Sequence, residues 1–137
     1  MSVLKGALPG LLAVAMAGSA LAQQAAPTGG DPAQGERVFA KCRACHQIGE
    51  GAHAFVGPEL NGLIGRHAGS LPGYSYSEAM KSSGLVWDEA TFKDYIRDPR
   101  AKVPGTKMTF PGLSRQSDID NVTAYLKTFD ASGRKVP

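Results

Sequence analysis

Two cysteines and a histidine stand together in one short stretch, KCRACHQIG, residues 41–49. Cys42 and Cys45 are the only cysteines of the 137-residue chain, and His46 follows the second. Residues three apart lie on one face of a helix, so both thiols can reach one flat ligand. C-x-x-C-H is the attachment pattern of a c-type haem, with two thioether bonds and an axial imidazole on iron. We therefore predict one covalent haem c.

Three other readings of the same residues carry less weight. A structural zinc ion would need two more Cys or His ligands at a suitable spacing, but no third cysteine exists and His53 and His67 are isolated. A redox dithiol would be expected after a strand in a βαβ unit, which the sequence does not indicate. A chance match would need all three residues in register within the only two cysteines of the chain.

The second axial position of the iron decides between electron transfer and ligand binding. Met108 lies in VPGTKMTFPG, a loop braced by two prolines that would hold a thioether in place. Met80 has a helical setting, where core packing is the ordinary role. His53 and His67 would give a haem with two histidine ligands instead. The sequence favours Met108 opposite His46.

The first 22 residues have the composition of a secretory signal peptide. One lysine precedes an uncharged apolar stretch that ends in Ala20-Leu21-Ala22, a pattern typical of cleavage. A permanent membrane anchor is the alternative, but the stretch is short for a span and is interrupted by Pro9, Gly10 and Gly18. We expect residues 1–22 to be a signal peptide, 23–30 a flexible tether, and 31–137 the haem domain, exported to the periplasm.

Helical signals predominate in the rest of the chain. Asp31 and Pro32 predict a helix start, with Gln34 able to complete a capping box. Asp88 predicts a helix that ends at Pro99, and apolar residues from Ile119 to Phe129 predict a last helix from about Ser117 to Phe129. A short helix is expected within 74–81, and the segments 47–73 and 100–114 read as loops. These short helices offer a thin core, so another group is expected to fill the middle.

Several motifs occur in the order found in class I cytochromes c. They are KCRACH, GPELNGLIGRHAG, PGYSYSEAM, GLVWDEATFKDYIRDP, VPGTKMTFPG and AYLK. The sequence resembles mitochondrial cytochrome c and its periplasmic bacterial relatives of the cytochrome c2 type, from about Gly35 to Phe129. The resemblance implies an all-α fold of three main helices, with short helices and long loops wrapped around one covalent haem.

The resemblance also assigns roles to individual residues. Pro58 would accept a hydrogen bond from His46, Tyr95 would donate one to the Met108 sulfur, and Phe110 would cover the haem beside Met108. A buried haem propionate would be neutralised and hydrogen-bonded by five polar side chains: Arg66, Tyr76, Ser77, Trp87 and Thr106. Gly35, Phe39 and Tyr125 would form the crossing of the first and last helices. Met80 stands where mitochondrial relatives usually carry an amide.

The implied function is electron transfer without bond chemistry on a substrate. The formal charge of +3 is mild and no Lys or Arg run occurs, so we expect no nucleic-acid partner. By resemblance, a monomer would carry electrons from a cytochrome bc complex to a terminal oxidase or photosynthetic reaction centre. The basic positions expected to dock these membrane complexes are Lys41, Arg100, Lys107 and Arg115. The alternatives are a redox subunit of a dehydrogenase complex and a haem protein whose labile sixth ligand admits small molecules.

Overall fold

The computed structural model describes Gly6 and residues 29–137. The predicted signal peptide, 1–22, and nearly all of the predicted tether, 23–30, therefore lie outside the described residues. Helices and loops make up the described part, where strand pairing is limited to isolated bridges between His67 and Val86 and between Phe129 and Lys135. None of the helices in this part is both long and apolar enough to cross a membrane.

Five helices follow one another within residues 29–137. Their bounds are α1 Pro32–Phe39, α2 Glu78–Lys81, α3 Glu89–Arg97, α4 Pro99–Lys102 and α5 Gln116–Lys127. The three longer ones, α1, α3 and α5, confirm the expectation of three main helices with short helices and long loops between them.

The first helix begins at the predicted cap but does not form the predicted capping box. The Asp31 carboxylate accepts hydrogen bonds from the backbone N–H groups of Ala33 and Gln34. The Asp31 N–H, which a capping box would give to Gln34, donates instead to Oδ1 of Asn121 in α5 at 2.8 Å. A tertiary contact thus takes the place of the local one.

The crossing of α1 and α5 is close because a glycine stands at the contact. A Cβ atom on Gly35 would lie 1.9 Å from the backbone oxygen of Asn121. Beside it, the rings of Phe39 and Tyr125 pack with centroids 5.4 Å apart. Phe39 is fully buried, and Tyr125 is 4% exposed. The predicted crossing of the first and last helices is confirmed.

Two helix boundaries differ from the prediction. The segment 100–114, read as loop, begins within α4, where Asp98 accepts a hydrogen bond from the Ala101 N–H and Pro99 occupies the first helical position. Because Asp98 also ends α3, one Asp-Pro pair stops a helix and starts the next. The last helix ends at Lys127, and Phe129 lies beyond it, where it forms an isolated bridge with Lys135.

Candidate haem site

A large cavity occupies the middle of the domain. Its volume is about 640 Å³, within the range of sites that hold a cofactor-sized molecule. The walls are mostly apolar and come from all the longer helices and from both long loops. Another group was expected to fill the middle of a thin core, and this cavity provides the space for one. The aliphatic and aromatic side chains that line it include Phe39, Leu60, Leu63, Phe92, Ile96, Val122 and Leu126.

The CRACH stretch forms one wall. The chain continues past α1 in a further turn, in which the N–H groups of Cys45 and His46 donate to the Cys42 carbonyl at 3.0 and 2.9 Å. This turn places Cys42, Cys45 and His46 together on the cavity. Both cysteines are free of disulfide bonds, and burial raises the pKa of the Cys42 thiol to about 11.

A backbone carbonyl in the loop that follows CRACH holds His46 in one orientation. Its Nδ1 lies 2.7 Å from the Pro58 carbonyl, to which it donates, so Nε2 is left for a ligand. Burial lowers the pKa of His46, and the bond to Pro58 opposes that shift. Gly57 packs against the ring so closely that a Cβ there would lie 2.4 Å from Cε1 of His46.

Met108 lies on the same cavity, in the proline-braced loop. The Tyr95 hydroxyl donates to its sulfur at 3.8 Å and lies 3.1 Å from Oγ1 of Thr106. That Thr106 oxygen also accepts the Met108 N–H at 3.4 Å. Tyr95 of helix α3 therefore fixes the thioether, and Thr106 fixes the backbone of the loop that carries it. Burial raises the pKa of Tyr95, so its hydroxyl remains a donor at neutral pH.

The other candidate iron ligands are arranged differently. The backbone N–H of His53 donates to Oε1 of Gln47 in the surface loop, and the backbone of His67 pairs with that of Val86. Of the described residues that line the cavity, His46 is the one histidine. Met80 does line it, on α2, and is buried. Of the described residues, two methionines thus bring thioethers to the cavity, and Met108 is the one that accepts a hydrogen bond from Tyr95.

All twelve residues predicted to contact the cofactor line this one cavity. They are Cys42, Cys45, His46, Pro58, Arg66, Tyr76, Ser77, Trp87, Tyr95, Thr106, Met108 and Phe110. Of the predicted docking cations, Lys41 and Lys107 also reach its rim. Arg100 and Arg115 are exposed but lie away from it. Ser77 also serves as the N-cap of α2, with its Oγ accepting the Met80 N–H.

Two features of the cavity rim and wall were not predicted from the sequence. Phe55 and Val56 are 63% and 60% exposed, and Val56 lies on the cavity rim. Adjacent apolar residues in a glycine-rich loop were the available signal. The second feature is Glu59, whose carboxylate lies 3.5 Å from the Arg66 guanidinium. The one sequence signal for this pair was that Glu59 and Arg66 stand seven residues apart within GPELNGLIGR.

The donor set fits a haem better than a bare metal ion. Within residues 29–137, no group of three or more His, Cys, Asp or Glu side chains could hold a metal. A haem, by contrast, is a flat apolar group with two carboxylates, and the cavity offers apolar walls, one guanidinium and several hydroxyls. The two thiols and the imidazole lie on one side of that cavity and the thioether of Met108 in a separate loop.

Comparisons with known proteins agree with this chemistry. A family model described as cytochrome c matches residues 32–130. Cytochrome c-554 of Methylosinus trichosporium is 56% identical over 124 residues, which are 90% of this chain and 93% of the relative. Cytochrome c2 of Rhodoblastus acidophilus is 60% identical over 106 residues, 77% of this chain and 99% of the relative.

Solved structures give the same result at the level of the fold. Cytochrome cH from Methylobacterium extorquens superposes with a TM-score of 0.68 at 50% identity, covering 72% of this chain and 99% of that one. Cytochrome c2 from Rhodospirillum centenum gives 0.71 at 39% identity, covering 74% and 99%. The chain belongs to the cytochrome c family: it is a class I c-type cytochrome of the c2 type, an electron carrier with one covalent haem c rather than an enzyme.

Proposed function

We propose that His46 and Met108 are the two axial ligands of the haem iron, which Cys42 and Cys45 anchor to the chain. The observation that carries this assignment is that both side chains reach one cavity and each is fixed by a hydrogen bond, His46 to Pro58 and Met108 from Tyr95. When bound, the haem supplies a one-electron Fe(III)/Fe(II) couple. A methionine ligand raises its potential relative to a second histidine.

Neighbouring side chains hold the Met108 thioether in place at this site. Tyr95 and Thr106 hold the Met108 loop, so the sulfur needs little rearrangement when the charge on the iron changes. Trp87 packs on Tyr95 with ring centroids 4.9 Å apart, which fixes the phenol in turn. We propose that Phe110 covers the haem beside Met108 and that five side chains satisfy one buried propionate: Arg66, Tyr76, Ser77, Trp87 and Thr106.

Replacing Met108 with alanine tests the ligand set. The oxidised native protein is expected to show the weak near-infrared charge-transfer band of a methionine sulfur on ferric haem, and Met108→Ala is expected to abolish it. Met80→Leu is the matched control, because Met80 lines the same cavity and leucine keeps its volume. Loss of the band in Met80→Leu and its survival in Met108→Ala would reverse the assignment.

We further propose that the carrier works in the periplasm after removal of residues 1–22. Its proposed donor is a cytochrome bc complex and its acceptor a terminal oxidase or photosynthetic reaction centre. Identity of 51–60% to several proteins named cytochrome c2 supports this placement. The exposed cations Lys41 and Lys107 on the cavity rim would meet acidic partner surfaces, with Arg100 and Arg115 further out.

Electron transfer with such a partner is expected to slow as salt rises, because screening weakens steering between opposite charges. Lys107→Gln should lower the second-order rate constant with a purified cytochrome bc complex several-fold at low ionic strength. Arg134→Gln is the matched control, since Arg134 is exposed, pairs with Asp130 and lies outside the cavity rim. A rate that is flat between low and physiological salt would contradict the proposed basic docking surface.

A further inference from the structure

Arg66 does not stand alone beside the cavity. Its Nη1 lies 3.5 Å from Oε1 of Glu59, and its two terminal nitrogens donate to the backbone carbonyls of Asn61 at 3.2 Å and Glu59 at 3.0 Å. The side chains of Arg66 and Glu59 are only 15% and 14% exposed. Water therefore screens this ion pair less than a surface pair.

The turn that carries Glu59 is itself fixed. Oε2 of Glu59 accepts the Asn61 N–H. The buried Asn61 amide exchanges two hydrogen bonds with the Gly49 backbone, at 2.8 and 2.9 Å. These hydrogen bonds hold the Glu59 carboxylate in one position beside Arg66. Arg66 lines the cavity, whereas Glu59 lies behind it.

The charge of this carboxylate reaches the cavity. Tyr76, which lines it, has a pKa raised chiefly by burial, with Arg66 lowering the pKa and Glu59 raising it. Both charges therefore act on a group in the cavity wall. A guanidinium that faces the haem would have its field partly cancelled by the carboxylate behind it.

We propose that Glu59 is a positioning residue that orients Arg66 and sets the reduction potential by partly neutralising it. The inference rests on the proposed placement of the haem in this cavity. A negative charge near the haem stabilises the oxidised form, which is the more positive one. Glu59 thus holds the potential below the value that Arg66 alone would give.

The test is the potential of Glu59→Gln, which removes the charge and keeps an oxygen for the Asn61 N–H. Spectroelectrochemical titration of the haem-loaded protein should show the equilibrium constant for reduction raised at least about threefold, which is about 28 mV for one electron. Asp120→Asn is the matched control. Asp120 pairs with Lys93 at 2.8 Å, the two side chains are only partly exposed, at 31% and 25%, and neither residue lines the cavity. Its potential should stay within a few millivolts of native.

The near-infrared band separates the two possible failures. An unchanged potential in Glu59→Gln with the band intact would overturn the role of Glu59 and leave the ligand assignment standing. An absent band in the native protein would instead overturn the proposed Met108 ligand, and the potential of Glu59→Gln would still decide the role of Glu59. If Glu59→Gln did not fold, Glu59→Ser would be measured, because serine keeps an acceptor for the Asn61 N–H. Failure of both variants to fold would assign Glu59 to the fold alone and overturn the proposal.

Discussion

Alanine in place of Gly35 is expected to cause a large loss of stability, because the added methyl group would meet the backbone of the neighbouring helix. In an unconstrained helix, glycine to alanine stabilises by about 1 kcal/mol. Here the new Cβ would lie 1.9 Å from the Asn121 backbone oxygen and 2.7 Å from the Tyr125 Cβ. Because backbone atoms cannot rotate away, α1 and α5 must separate. We expect a net loss of about 3 kcal/mol in the free energy of unfolding.

Thermal unfolding of the haem-loaded protein, followed by far-ultraviolet circular dichroism, measures this effect. A fall in Tm of roughly 10 °C or more is expected. Gly29→Ala is the control, since a Cβ there would meet nothing within 4 Å and its φ is not positive. Equal Tm values for the two variants would show that the helices do not cross as closely as described.

The second large effect is expected from Gly57→Ala, at the haem site itself. The added Cβ would lie 2.4 Å from Cε1 and 2.7 Å from Nδ1 of His46, so the imidazole must shift. The 2.7 Å bond from Nδ1 to the Pro58 carbonyl would then be lost or bent. Because this bond fixes the ring orientation, we expect the fraction of protein with native axial ligation to fall at least about tenfold.

Haem-stained gels and absorption spectra of the purified variant report attachment and ligation separately. Attachment through Cys42 and Cys45 should persist at reduced yield, while the spectrum of the oxidised protein changes toward a weakly ligated haem. Gly29→Ala again provides the comparison, with native yield and spectrum expected. A native spectrum and yield in Gly57→Ala would contradict the described packing of Gly57 on the His46 ring.

Local signals predicted the helices well wherever a cap and an apolar repeat agreed. Asp88 caps α3 through the Thr91 N–H, as the sequence indicated, and Phe92, Tyr95 and Ile96 of that helix are buried. Prediction failed where a partner distant in sequence competed with a local bond. Gln34 lost the capping role because Asn121 took the Asp31 N–H across the helix crossing.

The two candidate methionine ligands also show the difference between what local sequence and what tertiary contacts indicate. Both Met80 and Met108 line the cavity, so being a methionine near the haem does not distinguish them. The hydroxyl of Tyr95 does, because it donates to the Met108 sulfur from a helix thirteen residues earlier. The proline-braced loop favoured Met108 and the family resemblance implied the bond from Tyr95, but that bond forms only because α3 packs beside the loop.

The sequence by itself determined that this protein attaches one haem, since CRACH places two thiols and an imidazole within a single turn of backbone. It also determined the family, through motifs spread over most of the described chain. The family resemblance also predicted the bonds from His46 to Pro58 and from Tyr95 to Met108, but the residues alone gave neither, and only the tertiary structure placed Glu59 beside Arg66. The physical reason is distance along the chain. A turn fixes the positions of neighbours three residues apart, whereas Pro58, Tyr95 and Glu59 reach their partners only after helices and loops have packed.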